Sequence, residues 1–150
     1  NWQDGNSRLF SAVWKGLRFY PLGSNGFVDV RDVARVAVAL IEKQEYGKRF
    51  VVCSENVSYR QLFNSIAEGL GRKAPTIPAA ALLSLIGWRL EYVRSRLFGK
   101  DPVITRETAR TASKVWDYDA ARSIQATGTR YIPVKDSIAY WSKLILEDHG

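Results

Sequence analysis

The stretch Gly26-Phe27-Val28-Asp29-Val30-Arg31-Asp32-Val33-Ala34-Arg35-Val36-Ala37-Val38-Ala39-Leu40-Ile41 decides the fold class of this chain. Its first half alternates, and Phe27 and Val30 suit a short strand. At Asp32 the period changes. Val33, Val36, Ala37, Leu40 and Ile41 recur at helical spacing and predict one buried apolar stripe. Asp32 stands at the junction, where a carboxylate accepts hydrogen bonds from the first free N–H groups of a helix. The expectation is a strand, a cap at Asp32 and a buried helix. A second strand over 48–53 follows, with Phe50, Val51 and Val52 in a continuous apolar run. Strand, helix and strand predict an α/β fold.

Working outward, 1–6 is polar and turn-rich. Ser7 is placed to cap a short helix with Leu9, Phe10, Val13 and Trp14 inward and Gly16 at its end. A strand over 17–20 stops at Pro21, and Gly23-Ser24-Asn25-Gly26 reads as a turn. Ser58-Tyr59-Arg60-Gln61 is a capping box, with Ser58 at the N-cap and Gln61 three residues on. Val57 and Leu62 are spaced for a hydrophobic staple. The helix face is Leu62, Phe63, Ile66, Ala67 and Leu70, ended by Gly71. Residues 75–78 are extended between prolines, 79–98 form a long helix, and Thr105 caps another to about Ser113. Val115-Trp116 is a short strand, and Asp119 starts a small helix that ends near Gly128. The last helix opens at Pro133, with Ile138, Trp141, Leu144 and Ile145 inward.

The 150 residues predict one domain over 1–150, with enough length for a real core. There is no Met, so Asn1 is not expected to be a translation start, and the chain reads as a fragment or a processed product. The one Cys fits a reducing compartment. The most apolar run, 77–88, is about half of what a bilayer span needs. The net charge is +7, but residues 1–75 carry 11 basic and 7 acidic groups and residues 76–150 carry 11 and 8. An excess spread so evenly reads as a solvated surface rather than a nucleic-acid footprint. The densest basic sector, Arg89 to Lys114 with Trp88, Tyr92 and Phe98 interleaved, reads the same way, as the wet face of a core.

Several motifs carry less chemistry than they suggest. Cys53 and His149 are far apart and have no zinc spacing, so no metal is expected. Cys53 reads as a small buried apolar residue. A triad would need the penultimate His149, where chains fray. Gly23-Ser-Asn-Gly26 enters a strand, not a helix, and therefore offers no dinucleotide phosphate site. Tyr131-Ile-Pro-Val-Lys135 matches Tyr-x-x-x-Lys, but that chemistry needs both residues on one helical face. Pro133 forces the helix to start between them and leaves Tyr131 outside.

Four segments in order resemble the C-terminal half of an extended short-chain dehydrogenase/reductase. They are Ser7 to Gly16, the signature Phe-Val-Asp-Val-Arg-Asp-Val-Ala at 27–34, Arg49-Phe-Val-Val-Cys-Ser54 with Ser58-Tyr-Arg-Gln-Leu62, and Tyr118-Asp119 through Gly128 to Pro133 and Ile138. The closest flavour is the dihydroflavonol-reductase-like branch of the NAD-dependent epimerase/dehydratase family. The resemblance implies the substrate-binding half of a Rossmann-like cytoplasmic enzyme, mostly helical with a few short strands. The NAD- or NADP-binding half and the catalytic residues would lie in a missing N-terminal half. It implies substrate contacts from Ser7, Arg8, Phe10 and Ser11, and structural roles for Asp32, Ser58 and Gln61. A homodimer would pair through helices of the missing half. Nucleotide-sugar members carry an Arg two residues before the signature Phe. Asn25 stands there, which turns the expectation toward a smaller carbonyl or alcohol substrate. A non-catalytic regulator with the same half, and an independent basic binding module, are the competing expectations. No catalytic, cofactor-binding, metal, nucleic-acid or membrane site is expected in this chain itself.

Overall fold

The computed structural model describes residues 7–79 and 114–149. In chain order they form α1 (Ser7–Trp14), β1 (Phe19–Tyr20), β2 (Ser24–Phe27), α2 (Val30–Glu42), β3 (Glu55–Ser58), α3 (Tyr59–Gly69), β4 (Ile77–Pro78), α4 (Ala121–Thr127) and α5 (Val134–His149). This is a mixed α/β arrangement, about half helical among the described residues, with two two-stranded sheets. The helices expected over 79–98 and 105–113 lie outside the described residues, apart from Ala79, which is helical.

Helix α3 is the centre. The Ser58 hydroxyl accepts from the Gln61 N–H at 3.2 Å, and the Gln61 side-chain oxygen accepts from the Ser58 N–H at 3.1 Å. Two orphan donors are thus satisfied within one turn. Leu62, Phe63, Ile66, Ala67 and Leu70 are all buried, and Gly71 leaves the helix at φ +62°. This face meets α1 on one side and α5 on the other. Val13, Tyr20, Val134 and Ile138 complete the core. Each such apolar side chain contributes roughly 1.5–3 kcal/mol on burial.

The sheets depart from expectation. Of the turn expected over 23–26, residues 24–26 are instead strand: with Phe27, where a strand was expected, they form β2, antiparallel to β3, with Ser24 opposite Ser58 and Phe27 opposite Glu55. Gly26 is needed for a close approach rather than for turning. A Cβ there would lie 2.7 Å from the Tyr118 ring and 2.8 Å from the Cys53 sulfur. The strand expected over 48–53 is absent: the segment has no ladder partner among the described residues, and pairing begins only at Glu55. An apolar run signals burial, whereas a strand requires a neighbour. β1 and β4 pair in parallel, Phe19 with Ile77. Val115 makes a single parallel bridge to Ser24.

Helix α2 also starts differently. It begins at Val30, and its cap is Asp29, whose carboxylate accepts from the Arg31 N–H. Asp32 is therefore not the cap; it lies in the first turn and is fully buried. There its carboxylate accepts from the Ile132 N–H at 2.8 Å and pairs with Arg35. This bond carries the chain across to the segment before α5. It turns the Asp32–Val36 side of α2 inward, so Val33, Ala37 and Ile41 remain exposed instead of forming a buried stripe. The small helix α4 begins at Ala121, two residues after Asp119, whose carboxylate accepts from the Ala121 N–H. Gly128 closes it at φ +73°. α5 begins just after Pro133, and the Glu55 carboxylate caps its Val134 N–H at 2.9 Å. Ile138 is buried and Trp141 and Ile145 half-buried, whereas Leu144 is exposed.

Candidate functional site

The spacing Val134, Ile138, Trp141, Ile145 lays four apolar side chains along one face of α5. That face does not close completely on α1 and α3. A cavity of about 350 Å³ remains, walled by Leu9 and Phe10 from α1, Leu62 and Ile66 from α3 and the four α5 residues. Phe27, Val28, Asp29 and Val30 close its end where β2 runs into α2. The wall is predominantly apolar, and the size falls within the range of small-molecule sites.

Asp29 and Ser137 are the polar exceptions, and both belong to one network. Asp29 is 3% exposed. Its Oδ1 accepts from the Arg31 backbone N–H and from Arg31 Nε, each at 2.9 Å. Its Oδ2 accepts from an Arg31 terminal nitrogen at 2.8 Å, from Ser137 Oγ at 2.5 Å and from Trp141 Nε1 at 3.1 Å. The Arg31 fork holds the carboxyl far below the usual carboxylate range, opposing the effect of burial, and the Ser137 and Trp141 donors act in the same sense as Arg31. The guanidinium also lies 4.0 Å from the centroid of the Tyr140 ring, which stands edge-on to Trp141. One carboxylate therefore joins the start of α2 to the middle of α5 and fixes the Trp141 indole in the wall.

Of the expected substrate contacts, Phe10 lies in the cavity wall. Ser7 is the first residue of α1, Arg8 is exposed, and Ser11 is half-buried outside the lining. Ser58 and Gln61 form the α3 cap away from the cavity. Asn25 lies in β2, and its side-chain oxygen accepts from the next backbone N–H. Tyr131 lies outside α5; its hydroxyl is 2.7 Å from Ser123 Oγ, and Lys135 is exposed. Cys53 is buried, and that burial pushes its thiol up. Asp29, Arg31 and Ser137 were not expected at the site. No local pattern marks Arg31 or Ser137, and both Asp29 and Asp32 stand where either could cap the helix. Among the described residues there is no His/Cys/Asp/Glu group able to hold a metal, and no helix long and apolar enough to cross a membrane.

No family model and no curated protein sequence matches the chain. The crystal structure of gox2253 does match it. The likeness covers 95% of this chain and 43% of that one, with a TM-score of 0.67 and 21% identity. The two share a fold. This chain spans less than half of the length of gox2253.

Proposed function

We propose that this chain is the substrate-binding portion of an NAD(P)-dependent oxidoreductase or epimerase that acts on a small carbonyl or alcohol. The observation that carries this reading is Phe10. The short-chain dehydrogenase resemblance assigns substrate contacts to α1, and Phe10 of α1 lies in the wall of the described cavity. Three unfinished surfaces support a larger Rossmann-like parent. The two-stranded parallel pair β1·β4 is of a kind that usually sits inside a wider sheet. The apolar segment at 49–53 lacks a ladder partner among the described residues, and α2 exposes Val33, Val38 and Ile41. In such a parent, a bound nicotinamide would supply hydride-transfer chemistry, and the residues of this chain, Phe10 among them, would shape the pocket around the substrate and exclude water from it. Asn25 is neutral and short where a diphosphate would need an Arg fork.

A panel on the full-length parent tests this reading. Aldehydes, ketones, UDP-sugars and dTDP-sugars are each offered with NADH and NADPH, followed by nicotinamide absorbance and sugar analysis. Oxidation of NAD(P)H with carbonyl compounds and no change in the sugars is expected. Turnover of a nucleotide sugar with the carbonyl compounds inert would reverse the substrate assignment, and inertness of every substrate would remove the enzyme reading.

A further inference from the structure

The charge that is even along the sequence is not even over the fold. Residues 7–20 and 59–79, which hold α1, β1, α3 and β4, carry six basic groups and a single acidic one, Glu68. The other described residues, 21–58 and 114–149, carry ten of each. The ion pairs follow the same division. Arg31–Asp29, Arg35–Asp32, Lys48–Glu45 and Lys143–Glu147 all lie in the balanced part. Arg8, Lys15, Arg18, Arg60, Arg72 and Lys73 are all exposed, and none pairs with a carboxylate among the described residues. Packing brings their segments together: α1 and β1 both lie against α3, and β1 pairs with β4. The Lys15 N–H still donates to the Ser11 carbonyl, so Arg8 and Lys15, seven apart, share one helical face. The Arg72 guanidinium lies 3.9 Å from the centroid of the Trp14 ring, and that of Arg60 5.8 Å from the Tyr20 centroid. Arg60 and Arg72 stand at the two ends of α3, a helix roughly 16 Å long.

Unmatched cations spread over such a length suit a lattice of anions better than one phosphate group. Nucleic acid and an anionic bilayer both present such a lattice. Single strands are gripped by aromatic rings with a face open to the bases. Here Arg72 covers Trp14, and Tyr20 is buried. A bilayer offers hydrocarbon as well as phosphate, and this side has an aliphatic contact for it. Ile77 of β4 is 40% exposed and opens the most apolar run of the sequence, 77–88. We propose that the α1–β1–α3–β4 side is a peripheral docking surface for an anionic phospholipid bilayer, with the six cations at the level of the headgroups. The balanced part of the described residues adds no net attraction, so the asymmetry of charge turns this side toward the lipid. The inference stands apart from the function proposed above.

The test is sedimentation of this chain, and of the full-length parent, with phosphatidylcholine vesicles that hold either none or about 30 mol % of phosphatidylglycerol. Both proteins are expected to bind the mixed vesicles at about 50 mM salt, to lose at least about tenfold in affinity at about 500 mM, and to ignore phosphatidylcholine alone. Lys15→Gln with Lys73→Gln is expected to weaken binding about 25-fold, at about fivefold per cation. Arg130→Gln with Lys135→Gln removes the same charge from the balanced part and is expected to change binding by less than about twofold. Absent binding to the mixed vesicles overturns the surface, as does equal binding to phosphatidylcholine alone. Equal losses in the two variant pairs would show that net charge acts rather than this side, and would overturn it too. A chain that binds while the parent does not would mean that the rest of the parent covers this side. Tighter binding to a DNA duplex than to the vesicles, at matched salt and phosphate, would reassign the surface to nucleic acid. The lipid and duplex comparisons use unaltered protein and decide even where a variant fails to fold.

Discussion

Asp29 carries more of this structure than any neighbouring residue. It caps α2, pairs with Arg31, and receives Ser137 and Trp141 from α5 with a side chain that is fully buried. Its folded-state pKa is depressed below the ordinary value of 3.8. The stability it contributes is therefore complete above that value and is lost as pH falls through the lower, folded one. Asp29→Ala is expected to cost about 2–4 kcal/mol at neutral pH, through a lost cap and lost charge-assisted bonds. In urea melts the gap between wild type and Asp29→Asn should stay level from about pH 8 to 5 and shrink below about pH 4. A gap that widens in acid would mean that the carboxyl is not held ionised. Ser142 is the opposite case. Its hydroxyl is fully buried with no hydrogen-bond partner among the described residues, so Ser142→Ala should leave stability unchanged or raise it by up to about 1 kcal/mol, read as an unchanged or higher melting midpoint.

Two contacts decide how the helices sit. The capping box fixes where α3 begins, and Ser58→Ala should lower the urea midpoint by the equivalent of about 0.5–2 kcal/mol. Further along α3, Gly69 lies directly against Ser142 of α5. A Cβ on Gly69 would approach the Ser142 hydroxyl to 2.5 Å and its Cβ to 2.8 Å. Gly69→Ala must therefore push the two helices apart, at a cost of about 1–3 kcal/mol. Ser142→Gly should recover part of that loss in the double variant, and thermal melts of the four proteins measure the coupling. Full additivity would show that the helices do not meet at this pair.

At the scale of the molecule, burial is lopsided. Among the described residues, the α1–α3–α5 core buries Val13, Leu62, Phe63, Ile66 and Ile138, whereas α2 exposes Val33, Val38 and Ile41, with Ile41 63% exposed. Exposed apolar residues gathered on one helix mark a surface that another body covers or that drives self-association. Replacing Val38 and Ile41 by Lys should change stability by no more than about 0.5 kcal/mol. It should also reduce concentration-dependent association in sedimentation. A large loss of stability would show that α2 is packed where the structure leaves it open. Ile66→Ala, at the centre of α3, should by contrast cost about 2–5 kcal/mol.

Local chemistry was legible in the sequence wherever an interaction closes within a few residues. The α3 capping box, the glycine ends at Gly16, Gly71 and Gly128, the core face of α3 and the exclusion of Tyr131 from the last helix all rest on one or two turns of chain. The α5 face that walls the cavity was partly legible too: Ile138, Trp141 and Ile145 follow the helical period, but Leu144 did not turn inward. Tertiary structure alone decided the rest. Whether Asp29 or Asp32 caps α2 depends on which carboxylate the Ile132 N–H and the Trp141 indole reach, a hundred or more residues away. Whether 24–26 is a turn or a strand depends on Glu55–Ser58 arriving beside it and on Tyr118 and Cys53 leaving room only for a glycine at 26. Periodicity states which residues share a face. What covers that face, and which strand finds a partner, is set by contacts between distant segments, and no local pattern encodes them.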